Sequence, residues 1–259
     1  MTHGTSFRTL PAVAVAVATA VLPGRAWGVQ RGSPVVPGIA VAVRARPGPD
    51  TVVYERRVTR DGQTTGAGTR TVVLRVIPGT DTPALLEVEQ RFPGGGGTIV
   101  DTAVAELETL RAVAHRSHQP ARTMRFTFHA TRATGVVTSD SASRPEPVSQ
   151  EIGGPVFDSN LLELVIAALP LAAGFTAELP FFIYERGGRV PMRVAVRERA
   201  PVGFPFLGSR DAWVVSLAVP GAPATIWVDS RTRAVLRARY DIAGRHTSFT
   251  DERVTPLLP

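Results

Sequence analysis

Paired acidic residues are the first side chains in this sequence that could carry out acid–base chemistry. Glu87 and Glu89 are two residues apart, and so are Glu106 and Glu108. In an extended strand this spacing places both carboxylates of a pair on one face, where they could act as a general acid and a general base. Glu87 and Glu89 alternate with apolar residues, however, which puts them on the water-facing side of a strand. We therefore interpret these pairs as solvated surface residues rather than as a catalytic pair.

Metal and phosphate binding are the next chemistries to consider. His115 and His118 are three residues apart in a predicted strand, so they point to opposite faces and cannot share a metal. His129 and His246 lie among polar neighbours without a recognisable partner. The glycine run at 94–97 could cradle a phosphate only with a following helix or lysine, and the sequence contains no lysine. We predict a hairpin connection there, and no catalytic residue, metal site or cofactor.

The amino terminus has the layout of a cleavable export signal. Arg8 precedes an uncharged run at 10–22, and a small-x-small pattern follows at 26–28. A run of this length makes a helix of about 20 Å, too short for a hydrocarbon core of roughly 30 Å. We predict a signal peptide over residues 1–28 and a mature protein without a transmembrane span, exported to the periplasm or an equivalent envelope space.

Composition restricts the partners. The chain has 29 basic residues against 22 acidic ones, with a formal net charge of +7. The arginines are spread among acids instead of being clustered with stacking aromatics, which argues against nucleic acid as a partner. The positive charge favours peripheral contact with a membrane surface. Because the chain has no cysteine, it can form neither disulfides nor a lipoprotein acyl anchor.

The predicted fold rests on period-two alternation after a Pro/Gly-rich lead-in at 29–50. Residues 124–128 and 190–196 each place apolar side chains on one face and polar side chains on the other, as in an antiparallel sheet with one solvated side. The same parity groups Leu236 with Ala238 and Tyr240, opposite two arginines. Counted in this way, the chain has about 10–11 strands. A single helix is predicted from about Ser159 to Leu169, with Asp158 or Ser159 as its N-cap.

The dimensions of these elements predict a curved sheet. Eleven strands at about 4.8 Å make a sheet roughly 50 Å wide, whereas the helix covers about 16 Å. We therefore predict a mainly β domain at 51–250, followed by a C-terminal tail at 251–259. Its single antiparallel sheet forms an incomplete barrel, or β-clam, with the helix across its open side. Such a sheet leaves room inside, and strand parity predicts an apolar ligand cavity lined by Phe126, Phe128, Leu162, Val165, Leu169, Val194, Trp213 and Val215.

Four segments carry a resemblance to a known family. They read YERRVTRDGQTTGAGTRTVVL, FDSNLLELVIAALPLAAG, MRVAVRERAPV and DAWVVSLAVPGAPATIWVDSRTRAVLRARYDIAGR. With the signal peptide, they resemble an uncharacterised family of bacterial envelope proteins, a domain of unknown function, over about 51–250. That family is similar in fold to the lipoprotein carriers LolA and LolB, whose curved sheet and lid helices enclose acyl chains. The resemblance implies lipid binding, although this chain lacks the lipidation cysteine of LolB.

Together these observations predict an exported, non-catalytic protein that binds a lipid or an acyl chain in an apolar cavity, as a carrier or chaperone of the envelope. The alternative is a fully packed core in a structural or protein-interaction factor with an envelope protein as its partner. An outer-membrane barrel is a weaker alternative because only 7% of residues are aromatic. An enzyme on the same scaffold is also weaker, because the sequence shows no catalytic constellation.

Overall fold

The structure, a computed structural model, describes residues 50–94, 96–141, 144–219, 221–242 and 244–257. The predicted signal peptide at 1–28, and the predicted lead-in at 29–50 except for Asp50, lie outside these residues. The strands are β1 (Asp50–Arg60), β2 (Gln63–Ile77), β3 (Leu85–Gly94), β4 (Gly97–Glu106), β5 (Ala112–Gln119), β6 (Arg122–Phe128), β7 (Arg132–Ser139), β8 (Glu146–Glu151), β9 (Phe157–Asp158), β10 (Thr176–Ile183), β11 (Gly188–Phe204), β12 (Gly208–Ala218), β13 (Ala224–Asp229), β14 (Val235–Ile242) and β15 (Thr247–Arg253). The last strand thus continues three residues beyond position 250, where the predicted tail begins.

All the described strands form one curved, open sheet of 15 strands in the order β8-β7-β6-β5-β4-β3-β2-β1-β15-β14-β13-β12-β11-β10-β9. Neighbouring strands are antiparallel, apart from the parallel pair of β9 and β10. The first and last strands of the chain, β1 and β15, pair near the middle of the sheet. The predicted mainly β fold with a single curved antiparallel sheet is confirmed, with more strands than the 10–11 expected.

The alternation between polar and apolar residues is weak in two parts of the sheet. β8 changes between exposed and half-buried residues, so its sequence lacks a dry face. The first half of β2 is similarly polar and open to water. Backbone pairing with a neighbouring strand, rather than burial of side chains, holds both segments in the sheet.

The core lies on the concave face, because the two halves of the sheet fold toward each other. One packed cluster contains Leu86 of β3, Leu179 of β10, Leu217 of β12 and Ile226 of β13, which lie far apart along the sheet. A second cluster joins β5, β6 and β7 to Phe182. The buried side chains therefore bridge the two halves, as expected for an incomplete barrel.

One helical segment of the described residues crosses the concave side, and a separate 3₁₀ turn, Tyr184–Arg186, connects β10 to β11. The crossing segment begins with a 3₁₀ turn, Ser159–Leu161, and continues as α1 (Leu162–Ala168). Asp158 caps it, because its Oδ1 accepts a hydrogen bond of 2.8 Å from the backbone N–H of Asn160. Leu169 is extended before Pro170, which ends the helix. The predicted helix is confirmed. Among the described residues, no helix has the length and the apolar character needed to cross a membrane.

One predicted face is wrong. The register of β13 and β14 shifts so that Trp227 pairs with Arg237 while Val228 pairs with Val235. The extra residue, Leu236, turns to the convex side, where it packs in a separate cluster with Phe204, whereas Ala238 packs in the main core. A bulge of this kind inverts the parity of the residues that follow it.

Candidate functional site

A cavity of about 330 Å³ opens between α1 and the strands β1, β2, β3 and β14. Its apolar wall consists of Val52, Val72, Leu74, Val88, Leu164, Ala167, Val235 and Leu257. The strand residues reach it because they occupy alternate positions and so point to the concave face. On α1, Glu163 and Ala167 lie one turn apart and face the cavity, while Val165 and Ile166 face the core.

Buried charges form one end of this cavity. The guanidinium of Arg70 donates to both carboxylate oxygens of Glu163, at 2.6 and 2.9 Å, and to Oδ2 of Asp251 at 2.7 Å. Arg56 makes two further hydrogen bonds of 2.7 Å to Asp251. The hydroxyl of Tyr240 donates to Oε1 of Glu163 at 2.7 Å. Two arginines and two acids thus balance their charges inside the fold, and we call Arg56, Arg70, Glu163, Tyr240 and Asp251 the buried charge network.

Burial and neighbouring charges shift the pKa of three groups in this network. Burial alone would lower the pKa of Arg70, but the carboxylates of Glu163 and Asp251 raise it well above its usual value. Burial would raise the pKa of Asp251, but its hydrogen bonds with Arg56 and the charge of Arg70 lower it instead. Burial, with the nearby charge of Glu163, raises the pKa of Tyr240. Around neutral pH these shifts keep Arg70 and Asp251 charged and the hydroxyl of Tyr240 protonated, so these three groups are poorly suited to exchanging protons.

The cavity lining contains several ionised side chains. The guanidiniums of Arg70, Arg233 and Arg253 face two carboxylates, those of Asp50 and Glu163. Arg70 is almost completely buried, and its Nε has no hydrogen-bond partner among the described residues. A buried donor without a partner costs free energy unless water or a ligand reaches it. This end of the cavity is therefore suited to an electron-rich group.

The predicted cavity residues lie elsewhere. Val165, Leu169, Val194 and Val215 are packed in the main core, and Trp213 is partly buried against it. Leu162 also belongs to the main core and lines a separate cavity of about 180 Å³, while Phe126 and Phe128 pack in the cluster under β5–β7. All eight are described residues, and none of them lines the 330 Å³ cavity. The structure thus divides them between two packed clusters instead of bringing them together around one open space.

The buried charge network was missed by the sequence analysis, although a signal for it exists. Arg70 lies two and four residues before Val72 and Leu74, so period two places its guanidinium on the apolar face of β2. Glu163 is the single charge in the apolar segment LELVIAA. A charged residue at a core position must be paired, so these two residues could have been predicted to meet.

The histidines and the paired acids have ordinary partners. Nδ1 of His115 lies 2.9 Å from Oδ2 of Asp158, while His118 is exposed on the other face of β5. Glu87 binds Arg75 and Glu89 binds Arg91, as surface pairs; Glu106 pairs with Arg111, and Glu108 is exposed. Within the described ranges, no group of three or more His, Asp or Glu is placed to hold a metal ion.

Replacing His115 by glutamine is expected to remove part of the pH dependence of folding. Burial lowers the pKa of His115, but Asp158, with smaller contributions from Asp101 and Glu185, raises it above its usual value. The stabilisation is therefore fully present below about pH 6.5, the unfolded value, and is lost as the pH rises through the folded pKa. At pH 5.5 we expect the free energy of unfolding, measured by urea titration, to fall by roughly 1–3 kcal/mol in the variant.

The exposed His118 provides the matched control on the same strand. His118→Gln should leave the unfolding free energy of the protein unchanged at both pH 5.5 and pH 8.5. An equal pH profile for His115→Gln and the original protein would show that the contact with Asp158 does not stabilise the fold.

Comparison with known proteins gives a family model and a shared fold. Residues 51–250 match the family model described as "Protein of unknown function (DUF3108)". A solved beta-barrel-like protein of the domain of unknown function DUF1849 from Brucella abortus is similar, with 12% identity and a TM-score of 0.50 over 82% of this chain and 98% of that one. A DUF1329 family protein from Desulfovibrio piger matches with 8% identity and a TM-score of 0.33, over 83% of this chain and 88% of that chain. No curated protein matches. The first likeness shows a common fold and nothing about a ligand.

Proposed function

This chain belongs to the DUF3108 family of proteins of unknown function, and we propose that it binds an amphipathic ligand in the cavity beside α1. The ligand has one acyl chain or a similar apolar tail, and an anionic head. The observation that carries the proposal is the lining of the cavity, which joins an apolar wall to an end where the buried Nε of Arg70 has no hydrogen-bond partner among the described residues and Arg253 lies nearby.

The apolar wall favours a tail over a polar metabolite. The apolar wall is formed by the neighbouring strands β1–β3, by β14 and by one side of α1. A tail would therefore be enclosed by the sheet on one side and by the helix on the other. Each methylene that leaves water contributes about 0.8 kcal/mol, and the loss of freedom on association offsets several of them. The volume of about 330 Å³ lies near the lower end of the roughly 300–1,000 Å³ usual for small-molecule sites. The cavity is therefore suited to one chain rather than to a lipid with several.

The charged end favours an anionic head. Arg253 donates to the backbone oxygens of Thr255 and Pro256 and lies 3.9 Å from a carboxylate oxygen of Asp50. Backbone oxygens carry only partial charge, so most of its positive charge is uncompensated by them. A carboxylate or phosphate at this end would replace weak contacts with charge-assisted hydrogen bonds.

The protein acts, in this proposal, without chemistry and in the cell envelope. The buried charge network pairs its acids with its arginines and serves to hold α1 against the sheet. Export is supported by the signal-like segment at 1–28. A carrier role like that of LolA and LolB, which enclose acyl chains within a curved sheet, is consistent with this arrangement and forms part of the proposal.

Calorimetric titration of the purified protein with dodecanoate tests the proposal. We expect saturable binding with one site, and an affinity that rises roughly tenfold for each two methylenes added to the chain until the cavity is filled. Dodecyltrimethylammonium, which has the same tail and the opposite charge, should bind at least tenfold more weakly.

Two tryptophan substitutions on β2 locate the site. Leu74 lines the cavity, so Leu74→Trp should weaken dodecanoate binding at least tenfold by filling the space. The neighbouring Val73 points to the other face of the sheet, and Val73→Trp should leave binding unchanged. If dodecanoate does not bind saturably, or if Leu74→Trp binds it normally, the proposal is wrong and a protein-interaction role becomes the better hypothesis.

A further inference from the structure

The hairpin between β11 and β12 presents an aromatic ring to water. Its tip, residues 204–208, has the sequence FPFLG. Phe206 is 56% exposed, the highest value among the large apolar residues that the structure describes. Pro205 beside it is also exposed. A single exposed apolar side chain is common on protein surfaces, but Phe206 stands at the tip of a long hairpin, where it can reach a surface outside the protein.

The base of the hairpin is held firmly. Phe204 is buried in the cluster on the convex face with Ala212 and Leu236. The guanidinium of Arg237 lies over the Phe204 ring, 4.9 Å from its centroid, and its NH2 nitrogen donates to the backbone oxygen of Gly203 at 3.3 Å. At the tip, Nε of Arg210 donates to the backbone oxygen of Leu207 at 3.1 Å. These contacts fix the direction in which the tip, and Phe206 with it, projects.

Two exposed arginines lie beside the base of this hairpin. Arg210, close to Phe206 in sequence, and Arg231 both line a shallow cavity of about 320 Å³ next to the hairpin, and both are exposed. In the part of the chain that the structure describes, no carboxylate pairs with either guanidinium. Asp211 and Asp229 line the same cavity, but Asp211 is paired with Arg199. Asp229 is only 5% exposed and accepts hydrogen bonds from the backbone N–H groups of Arg231 and Thr232. The hairpin therefore combines an apolar tip with one exposed arginine of its own, Arg210, and with Arg231 from the adjoining turn between β13 and β14.

This combination fits an anionic lipid bilayer. An aromatic ring partitions into the region between head groups and acyl chains, while arginines beside it contact lipid phosphates. A protein partner fits less well, because one ring and a proline form a much smaller patch than the roughly 800 Å² that each side of a stable protein interface buries. We infer that the β11–β12 hairpin docks the protein on an anionic membrane, with Phe206 inserted and with Arg210 and Arg231 against the phosphates.

The position of the hairpin relates this surface to the cavity. Thr232 and Leu257 line both the 330 Å³ cavity and the shallow cavity beside the hairpin. Docking would therefore bring the opening of the ligand cavity close to the bilayer. The inference goes beyond the proposed function, since the hairpin can bind a membrane whether or not the cavity holds a ligand.

Co-sedimentation with vesicles tests the inference. The full-length mature protein is mixed with vesicles of phosphatidylcholine containing phosphatidylglycerol, and with vesicles of phosphatidylcholine alone. We expect binding to the anionic vesicles that decreases with added salt, and weak binding to the neutral ones. Phe206→Ser should reduce partition to the anionic vesicles roughly tenfold. Each of Arg210→Gln and Arg231→Gln should reduce it roughly fivefold.

Val136→Ser is the matched control, since Val136 is 40% exposed on β7, remote in the sheet from the hairpin. It should leave vesicle binding unchanged, and thermal unfolding should show that all variants are folded. Dodecanoate affinity should be the same in Phe206→Ser as in the original protein, which separates this test from that of the cavity. If the original protein does not bind anionic vesicles, or if Phe206→Ser binds them equally well, the hairpin is not a membrane-docking element.

Discussion

Replacing Arg70 by methionine is expected to lower the free energy of unfolding by roughly 3–5 kcal/mol, the usual cost of breaking a buried ion pair by removing one partner. The guanidinium of Arg70 contacts Glu163 on α1 and Asp251 on β15, and only 4% of its side chain is exposed. Without it, Glu163 retains only the hydroxyl of Tyr240 in a buried setting. Urea denaturation followed by circular dichroism measures the loss.

Two further variants separate the removal of a buried charge from the removal of any arginine. Arg75 lies on the same strand with 48% of its side chain exposed, and Arg75→Met should change the unfolding free energy by less than about 1 kcal/mol. The double variant Arg70→Met/Glu163→Met removes one charge of each sign and leaves Asp251 paired with Arg56. It should recover at least half of the stability that Arg70→Met loses. Equal losses in the two single variants would show that the buried charge network contributes nothing beyond a surface pair.

The class of fold could be predicted because alternation and geometry act over many residues. Each well-patterned strand, such as β6 with Met124, Phe126 and Phe128 on its inner face, has a dry side that must be covered. One short helix cannot cover so wide a sheet. The sheet must therefore curve, and this conclusion does not depend on the exact number of strands. Strands such as β8 escape the count because they are held by backbone pairing, which leaves little trace in the side-chain pattern. The start of β2 is held in the same way, so the length of that strand escapes prediction too.

The site could not be predicted to the same extent, because open space depends on how the elements meet. The alternation along a strand predicts which side chains point inward. It does not predict which of them pack against side chains from the other half of the sheet. Val194 and Val215 point inward as expected, but they lie where the two halves of the sheet pack against each other. The open space lies where the short helix α1 leaves β1–β3 and β14 partly uncovered. A bulge such as the one at Leu236 also cannot be predicted from a strict two-residue alternation.

Two leucines of the helical segment lie on different sides of this division, one in the packed core and one in the wall of the cavity, and we expect opposite effects on stability and on ligand binding when each is replaced. Leu169 is completely buried in the main core, so Leu169→Ala should lower the free energy of unfolding by roughly 2–5 kcal/mol through the cavity it creates. Leu164 is only partly buried and lines the 330 Å³ cavity, so Leu164→Ala should cost less than about 1.5 kcal/mol.

Dodecanoate binding by the two variants should show the reverse order. Leu164→Ala removes part of the apolar wall and enlarges the cavity, so the affinity for dodecanoate should change severalfold and the longest tail that binds should grow. Leu169→Ala, measured under conditions where it remains folded, should bind dodecanoate as the original protein does, because the lost methyl groups face the core. If Leu169→Ala instead weakened binding while Leu164→Ala did not, the acyl chain would have to lie between the two halves of the sheet, and the side chains that fill that space would have to move apart to admit it.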